Sequence, residues 1–323
     1  MVIISATYSE LNQYKYKNSI ITIGSFDGLH LGHQKIFTQM EKLNSQKTKD
    51  KYNKILITFD PQPSYVLDEK NNGQCLLTPT SEKIHLLEKL FSKFIDIVVV
   101  ISFNKSFSQI SAKDFFDKIT NLFNPSDIVI GSDHGFGYKR EGNIEFLIKN
   151  YQKQYNLKIH KISDQSLFLD SKIKISSTEI RKKILNNKIN EANKMLSRNY
   201  SLKGIIIKGQ GIGRKINFPT INVQPNFKEQ IIPSRGVYFV KLKINELYYS
   251  GMCNIGIRPT VTNSKEETIE IHIFRADIDM NLYDNEVNVF FLEYIRSEKK
   301  FKNIDFLVEQ LKKDRDICMS LDN

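Results

Sequence analysis

The chain has 323 residues, 40% of them hydrophobic and 26% charged, and a net charge of +11. That length exceeds the usual size of a single core and predicts two domains of ordinary globular composition. No apolar run approaches the roughly 18 to 20 residues of a bilayer span, and the opening MVIISATYSELNQYKYK has neither the long apolar region nor the cleavage site of a leader, so a cytoplasmic protein without membrane attachment is expected.

The first half alternates short apolar runs with helical patterns: SIITIG then HQKIFTQMEKL, KILITF then SEKIHLLEKLF, DIVVVIS then SAKDFFDKIT, and finally SDIVIGSD. Continuously apolar strands separated by helices predict a parallel sheet covered on both faces. The expected fold is a doubly wound α/β domain, with ligands beyond the carboxyl ends of its strands.

Within it, ITIGSFDGLHLGHQKIF runs a buried strand into a Gly-containing loop and then His30, Gly32 and His33 where a helix begins. Glycines allow close backbone approach to an anion, the helix start contributes its positive end, and two imidazoles can reach phosphate oxygens. Three readings are open: a structural His pair, a metal pair at i and i+3, or a phosphate cradle. With no third ligand nearby, the cradle is expected. Farther on, IKISSTEIRKKI places Ser176, Ser177 and Thr178 before a helix, where they can act as caps, and Arg181 one turn along, where it can grip a triphosphate.

The second half changes period. KGIIIKG, GVYFVKLKI, LYYSGMCNIG, ETIEIHIF and NEVNVFFLEYI alternate as strands do, and IDFLVEQLKKD is helical, which predicts a small antiparallel barrel with a terminal helix. The changeover runs through the polar LNNKINEANKMLSRNYS, giving expected domains at 1–185 and 186–323. The segment KGIIIKGQGIGRKINFPTINV reads either as a flexible Gly-rich hairpin before an edge strand or as a phosphate loop with Gly209, Gly211, Gly213 and Arg214. Thr220 and Asn222, two apart on an extended strand, share a face and can hold magnesium through neutral oxygens.

Cys75, Cys253 and Cys318 form no CxxC pair, which argues against a disulfide framework and a zinc site. The positive charge admits a nucleic-acid partner or a basic surface that draws phosphate ligands. Because the lysines are spread without a basic block, the second is expected, with no nucleic acid and no obligatory protein partner.

Taken together, HxGH at His30 to His33 and ISSTEIR resemble the nucleotidyltransferase superfamily, and LLTPTSEKIHLLEKL with GSDHGFGYKREGN narrows this to the FMN adenylyltransferase module of bacterial FAD synthetases. The resemblance implies that His30, His33, Ser177, Thr178 and Arg181 contact ATP phosphates, that Gly24, Phe26 and Asp27 shape the nucleotide pocket, and that Asp133 lies close to the nucleotide. TFDPQP and GSDHGFG depart from the family's TFEPHP and GFDFRFG at Asp60, Gln62 and His134, among other positions.

The second half resembles the riboflavin kinase module, on its Gly-rich loop, PSRGVYFV, CNIGIRPT, TIEIHIF and FLEYIRSEKKF. By that resemblance Glu270, not the neighbouring Glu267, is the general base toward the ribityl 5'-hydroxyl, while Asn217 and Ile221 replace the glycine and alanine of G-x-P-T-A-N. If Asn217 takes a positive φ, it is the least costly non-Gly residue there. The implied protein is a bifunctional flavin enzyme: riboflavin and ATP to FMN, then FMN and ATP to FAD and pyrophosphate, with Mg2+ in both steps.

Overall fold

The computed structural model describes residues 1–47, 52–67, 76–131, 134–163, 168–169, 173–209, 211–259, 265–274 and 282–322. By residue contacts the chain divides into two units, Met1–Ser177 and Thr178–Asn323.

In the first unit the strands β1 (Val2–Ala6), β2 (Ser19–Ile23), β3 (Asn53–Asp60), β4 (Ile97–Ser102), β5 (Pro125–Ile130) and β6 (Lys158–Lys161) form one sheet in the order β1-β4-β3-β2-β5-β6. Every pairing in it is parallel. The expected apolar runs supply β2 to β5, and the structure adds β1 and β6 at the edges. A two-stranded ribbon of β7 (Phe168–Leu169) and β8 (Ile173–Lys174) stands apart from the sheet.

Strand alternation sends residues to two cores. Ile21, Ile57, Val99 and Ile128 join Phe115, Phe116 and Phe123 on one face. Ile20, Leu56, Val98 and Val129 join Phe37, Met40 and Leu87 on the other. These three phenylalanines come from α4 (Ala112–Phe123), whose N-cap Ser111 accepts from the Asp114 N–H and whose chain leaves through Asn124 at φ 39°. The second core is covered by α1 (Leu31–Ser45) and α3 (Thr80–Phe91); α2 (Pro63–Leu67) and α5 (Ile144–Leu147) are short.

From β2 the chain works outward through β3 and β4, and from β5 it turns the other way to β6. The order therefore reverses between β2 and β5, which is where an open parallel sheet forms a ligand crevice at its carboxyl ends. The loop after β2 carries the HxGH segment, and the loop after β5 carries GSDHGFG.

In the second unit β9 (Tyr200–Ile207), β10 (Ile221–Pro225), β11 (Gly236–Ile244), β12 (Leu247–Pro259), β13 (Lys265–Ile273) and β14 (Glu286–Arg296) close a barrel in the order β10-β13-β12-β11-β14-β9. All its pairings are antiparallel. The edge-strand reading of INV is corrected here: β10 is bonded to β9 on one side and β13 on the other. The flexible-hairpin reading is corrected too, since α8 (Ile212–Lys215) is a helical turn inside the Gly-rich segment.

The unit opens with α6 (Ser177–Leu185) and α7 (Ile189–Leu196). The second lies within the polar stretch and buries Ile189, Ala192, Met195 and Leu196. The terminal helix α9 (Ile304–Ser320) is fastened to β14 by Arg296, whose Nε and Nη2 donate to the buried Asp314 carboxylate at 2.9 and 2.6 Å. Cys253 and Cys318 are buried free thiols, and burial followed by Asp314 pushes Cys318 up to about 12. Cys75 lies outside the described residues.

Candidate active sites

In the first unit, the segment from Gly24 to His30 connects β2 to α1 with three departures from ordinary backbone space at its centre: Phe26 at φ 49°, Gly28 at 83° and Leu29 at 45°. Such conformations persist where surroundings impose them. The surroundings are polar and buried. Asp27 is 1% exposed, and its carboxylate accepts from the Leu77 and Thr78 N–H groups at 3.0 Å. Ser177 donates its hydroxyl to the Asp27 carbonyl at 2.9 Å, which joins the HxGH loop to the ISST segment 150 residues later.

His30 is the N-cap of α1 and is 6% exposed. Its ring stacks on that of His33 with centroids 3.7 Å apart and planes 19° apart, and Phe26 meets His33 edge-on at 5.1 Å. The His33 N–H donates to the His30 carbonyl at 2.8 Å, so the helix begins directly beneath both rings. Gly24 faces the Phe26 ring, where an added Cβ would come within 3.3 Å. Thr178 and Arg181 lie three apart on α6, in the second unit.

Asp133 lies outside the described residues. Its neighbour His134 has a buried Nε2 without a hydrogen-bond partner among the described residues, and burial followed by Arg140 pushes its pKa down to about 4. The Arg140 side chain lies over Gly135, 3.0 Å from where a Cβ would stand. Of the departures, Asp60 is the exposed last residue of β3 and Gln62, just beyond the strand, is buried.

Sequence reasoning missed Lys83. It lies on α3, buried beneath the Gly24–Asp27 loop, and donates to the Ser25 carbonyl and the Thr58 hydroxyl, each at 2.9 Å. A lysine in an amphipathic helix reads as part of a solvated face, so periodicity alone carried no signal for it.

In the second unit, Ile269 and Ile271 point into the core, so Glu270 between them faces outward. It is paired in register with Asn222 of β10 on one side and Asn254 of β12 on the other. Asn222 is 8% exposed because Gly209 lies against it: a Cβ on Gly209 would stand 2.1 Å from the Asn222 Nδ2. A Cβ on Gly213 would be 2.2 Å from the Phe218 carbonyl oxygen and 3.5 Å from the Thr220 hydroxyl. A side chain at 213 would collide with backbone, and one at 209 would have to displace the Asn222 amide.

Gly211 and Asn217 are both left-handed, at φ 71° and 58°, so the expected positive φ at Asn217 is met. Arg214 donates to the Tyr283 hydroxyl at 2.9 Å. His272 Nδ1 lies 2.8 Å from the Pro219 carbonyl oxygen, and the Arg315 guanidinium lies 5.8 Å from the Phe218 ring. The β10 segment and the Glu270 strand are thus tied together beyond their ladder.

Two family models match the chain, FAD synthetase over residues 12–179 and riboflavin kinase over 196–321. A bifunctional riboflavin kinase/FMN adenylyltransferase of Buchnera aphidicola subsp. Schizaphis graminum is 42% identical over 93% of both chains. That of Bacillus subtilis is 34% identical over 92% of this chain and 90% of its own. The chain belongs to the family of bifunctional riboflavin kinases/FMN adenylyltransferases. This FAD synthetase family membership accounts for both units, one model falling on each set of motifs. A crystal structure described as a macrolide-efflux protein from Streptococcus pneumoniae is also similar, with a TM-score of 0.85 and 28% identity over 99% of each chain. Among the described residues here, no helix is long and apolar enough to cross a membrane.

Proposed function

We infer that the chain makes FAD in two steps. Riboflavin and ATP give FMN and ADP on residues 186–323, and FMN and ATP give FAD and pyrophosphate on residues 1–185. The observation that carries the reading is the Ser177 to Asp27 hydrogen bond, which unites two phosphate-binding motifs far apart in sequence at the reversal point of the sheet.

In adenylyl transfer the attacking group is the FMN phosphate, already anionic at neutral pH, so no side chain must be deprotonated. The task is to align that phosphate with the α-phosphate of ATP and to stabilise charge on the departing pyrophosphate. His30 and His33 do this with the N–H donors at the start of α1, while Thr178 and Arg181 grip the triphosphate. Ser177 spends its proton on the Asp27 carbonyl and thereby holds the loop in shape. Gly24, Phe26 and Asp27 shape the pocket, with Asp133 beside the nucleotide.

In the kinase step Glu270 accepts the proton of the ribityl 5'-hydroxyl as that oxygen attacks the γ-phosphate. Gly209, Gly211, Gly213 and Arg214 hold the ATP phosphates. Thr220 and Asn222 fit a magnesium ion: both offer hard, neutral oxygens two residues apart on the extended segment that enters β10, and the glycine loop approaches both. Bound there, magnesium would neutralise charge on the phosphates.

The test is incubation of the purified protein with riboflavin, ATP and magnesium, with chromatography over time. FMN should appear first and FAD second. Absence of FAD when FMN is supplied sinks the adenylyl-transfer assignment, and untouched riboflavin sinks the kinase assignment.

A further inference from the structure

Lys83 sits within LLTPTSEKIHLLEKL, where nothing in the sequence gives it a role, yet it is 2% exposed on a helix that offers lysines an easy path to solvent. A methionine would fill the same space without the cost of removing an ammonium group from water, so packing does not explain a lysine here. Its two acceptors do. One is the Ser25 carbonyl, inside the Gly24–Asp27 loop, and the other is the Thr58 hydroxyl, which itself lies 3.2 Å from the same carbonyl oxygen.

In a trans peptide the C=O of one residue and the N–H of the next point to opposite sides. Pinning the Ser25 carbonyl inward onto Lys83 therefore turns the Phe26 N–H outward. It also fixes the entry to the left-handed Phe26. The ammonium adds a positive charge within the protein, where low polarisability makes charge act more strongly than in water.

We propose that Lys83 is a positioning residue for adenylyl transfer: it orients the Ser25–Phe26 peptide of the phosphate loop and places a buried positive charge behind the triphosphate. This rests on the assignment of adenylyl transfer to the first unit. The groups acting on the Lys83 charge are Asp27 on the loop and Asp60 at the end of β3. Burial lowers its pKa to about 8 and the two carboxylates oppose that shift. Lys83 is then protonated below about pH 8 and loses its charge above it, and a bound triphosphate, being anionic, moves this loss to higher pH.

The experiment measures FAD formation from supplied FMN, and FMN formation from riboflavin, between about pH 6.5 and 9.5 in the full chain and its Lys83→Met variant. In the wild type kcat/KM for ATP in adenylyl transfer should fall at the alkaline end, from about pH 8 upward, as Lys83 deprotonates. Lys83→Met should lower that kcat/KM by about 10- to 100-fold at neutral pH, the loss expected for one charged donor, and should remove the alkaline fall. Its kinase step should stay within about twofold of wild type, since Lys83 lies in the other unit.

Equal adenylyl-transfer parameters and pH profiles in the two proteins would overturn the proposal. A wild-type profile with no alkaline fall would overturn it without reference to any variant, so a variant that fails to fold does not shield it. Wild-type protein that forms no FAD would instead sink the functional reading.

Discussion

The two units hold their glycine-containing loops in opposite ways. In the first, the loop is pinned from below by buried polar groups: Asp27 on the Leu77 and Thr78 N–H groups, Lys83 on the Ser25 carbonyl, Ser177 on the Asp27 carbonyl. In the second, Asn222 and Glu270 sit side by side on the outside of a closed barrel with Thr220 just before the strand, and the glycine loop rests against Asn222 and Phe218 through close contacts. Where the site is wired into the core, changing a site residue should alter stability and activity together. Where it decorates a finished wall, chemistry and stability should come apart.

The largest test of that contrast is Glu270→Gln, which keeps size and loses the base. FMN formation should drop by about two to four orders of magnitude, while FAD formation from supplied FMN and the melting temperature stay near wild type. A matching loss of both activities in a folded protein would mean one shared site and break the comparison. Chelation sharpens it from the metal side: excess EDTA should stop FMN formation, and undiminished turnover would remove Thr220 and Asn222 from the magnesium role. Next comes His33→Ala in the first unit, where removing one charge-stabilising donor should slow FAD formation about a hundredfold or more and let FMN accumulate.

Asp27→Asn separates the units more subtly. The amide oxygen can keep the two bonds to Oδ1, but its NH2 group would stand where Oδ2 accepts from the Leu77 N–H, and the charge is lost, so the first unit should lose about 2 kcal/mol, seen as a melting temperature lower by roughly 4 to 8 °C. Adenylyl transfer should weaken with it and the kinase step should not. An unchanged melting temperature would deny that the loop is anchored from beneath. The smallest effect is expected at Asn217, whose φ of 58° suits Asn or Gly. Asn217→Ala should cost about 1 kcal/mol and Asn217→Gly almost nothing, as read from thermal unfolding.

The architecture was legible where one residue type dominates a short run. SIITIG, KILITF and DIVVVIS have no amphipathic alternative, so β2, β3 and β4 followed directly from them. β6 did not, because three of the four residues of KIHK are polar and half of it is exposed. The helix α7 hid in LNNKINEANKMLSRNYS because Asn and Lys dominate it, although Ile189, Ala192, Met195 and Leu196 have helical spacing. The motifs could be read from sequence because glycine, histidine and threonine are informative at fixed offsets. Lys83 and Asp314 carry no such offset: what each does depends on partners reached only through the tertiary fold.

The closed barrel and the open sheet also differ in what they offer to other molecules. A barrel has no terminal strand and so presents no row of unpaired backbone groups to a neighbouring chain, whereas the sheet ends in β1 and β6. At β6 the exposed residues are Lys158 and Lys161. Lining up a second strand there would bring like charges together, and edge lysines discourage such pairing. The polar composition that concealed β6 from a reading of the sequence is thus a guard against association through that side of the sheet, and replacing both lysines with apolar β-branched residues should expose the protein to aggregation at high concentration while leaving its chemistry intact.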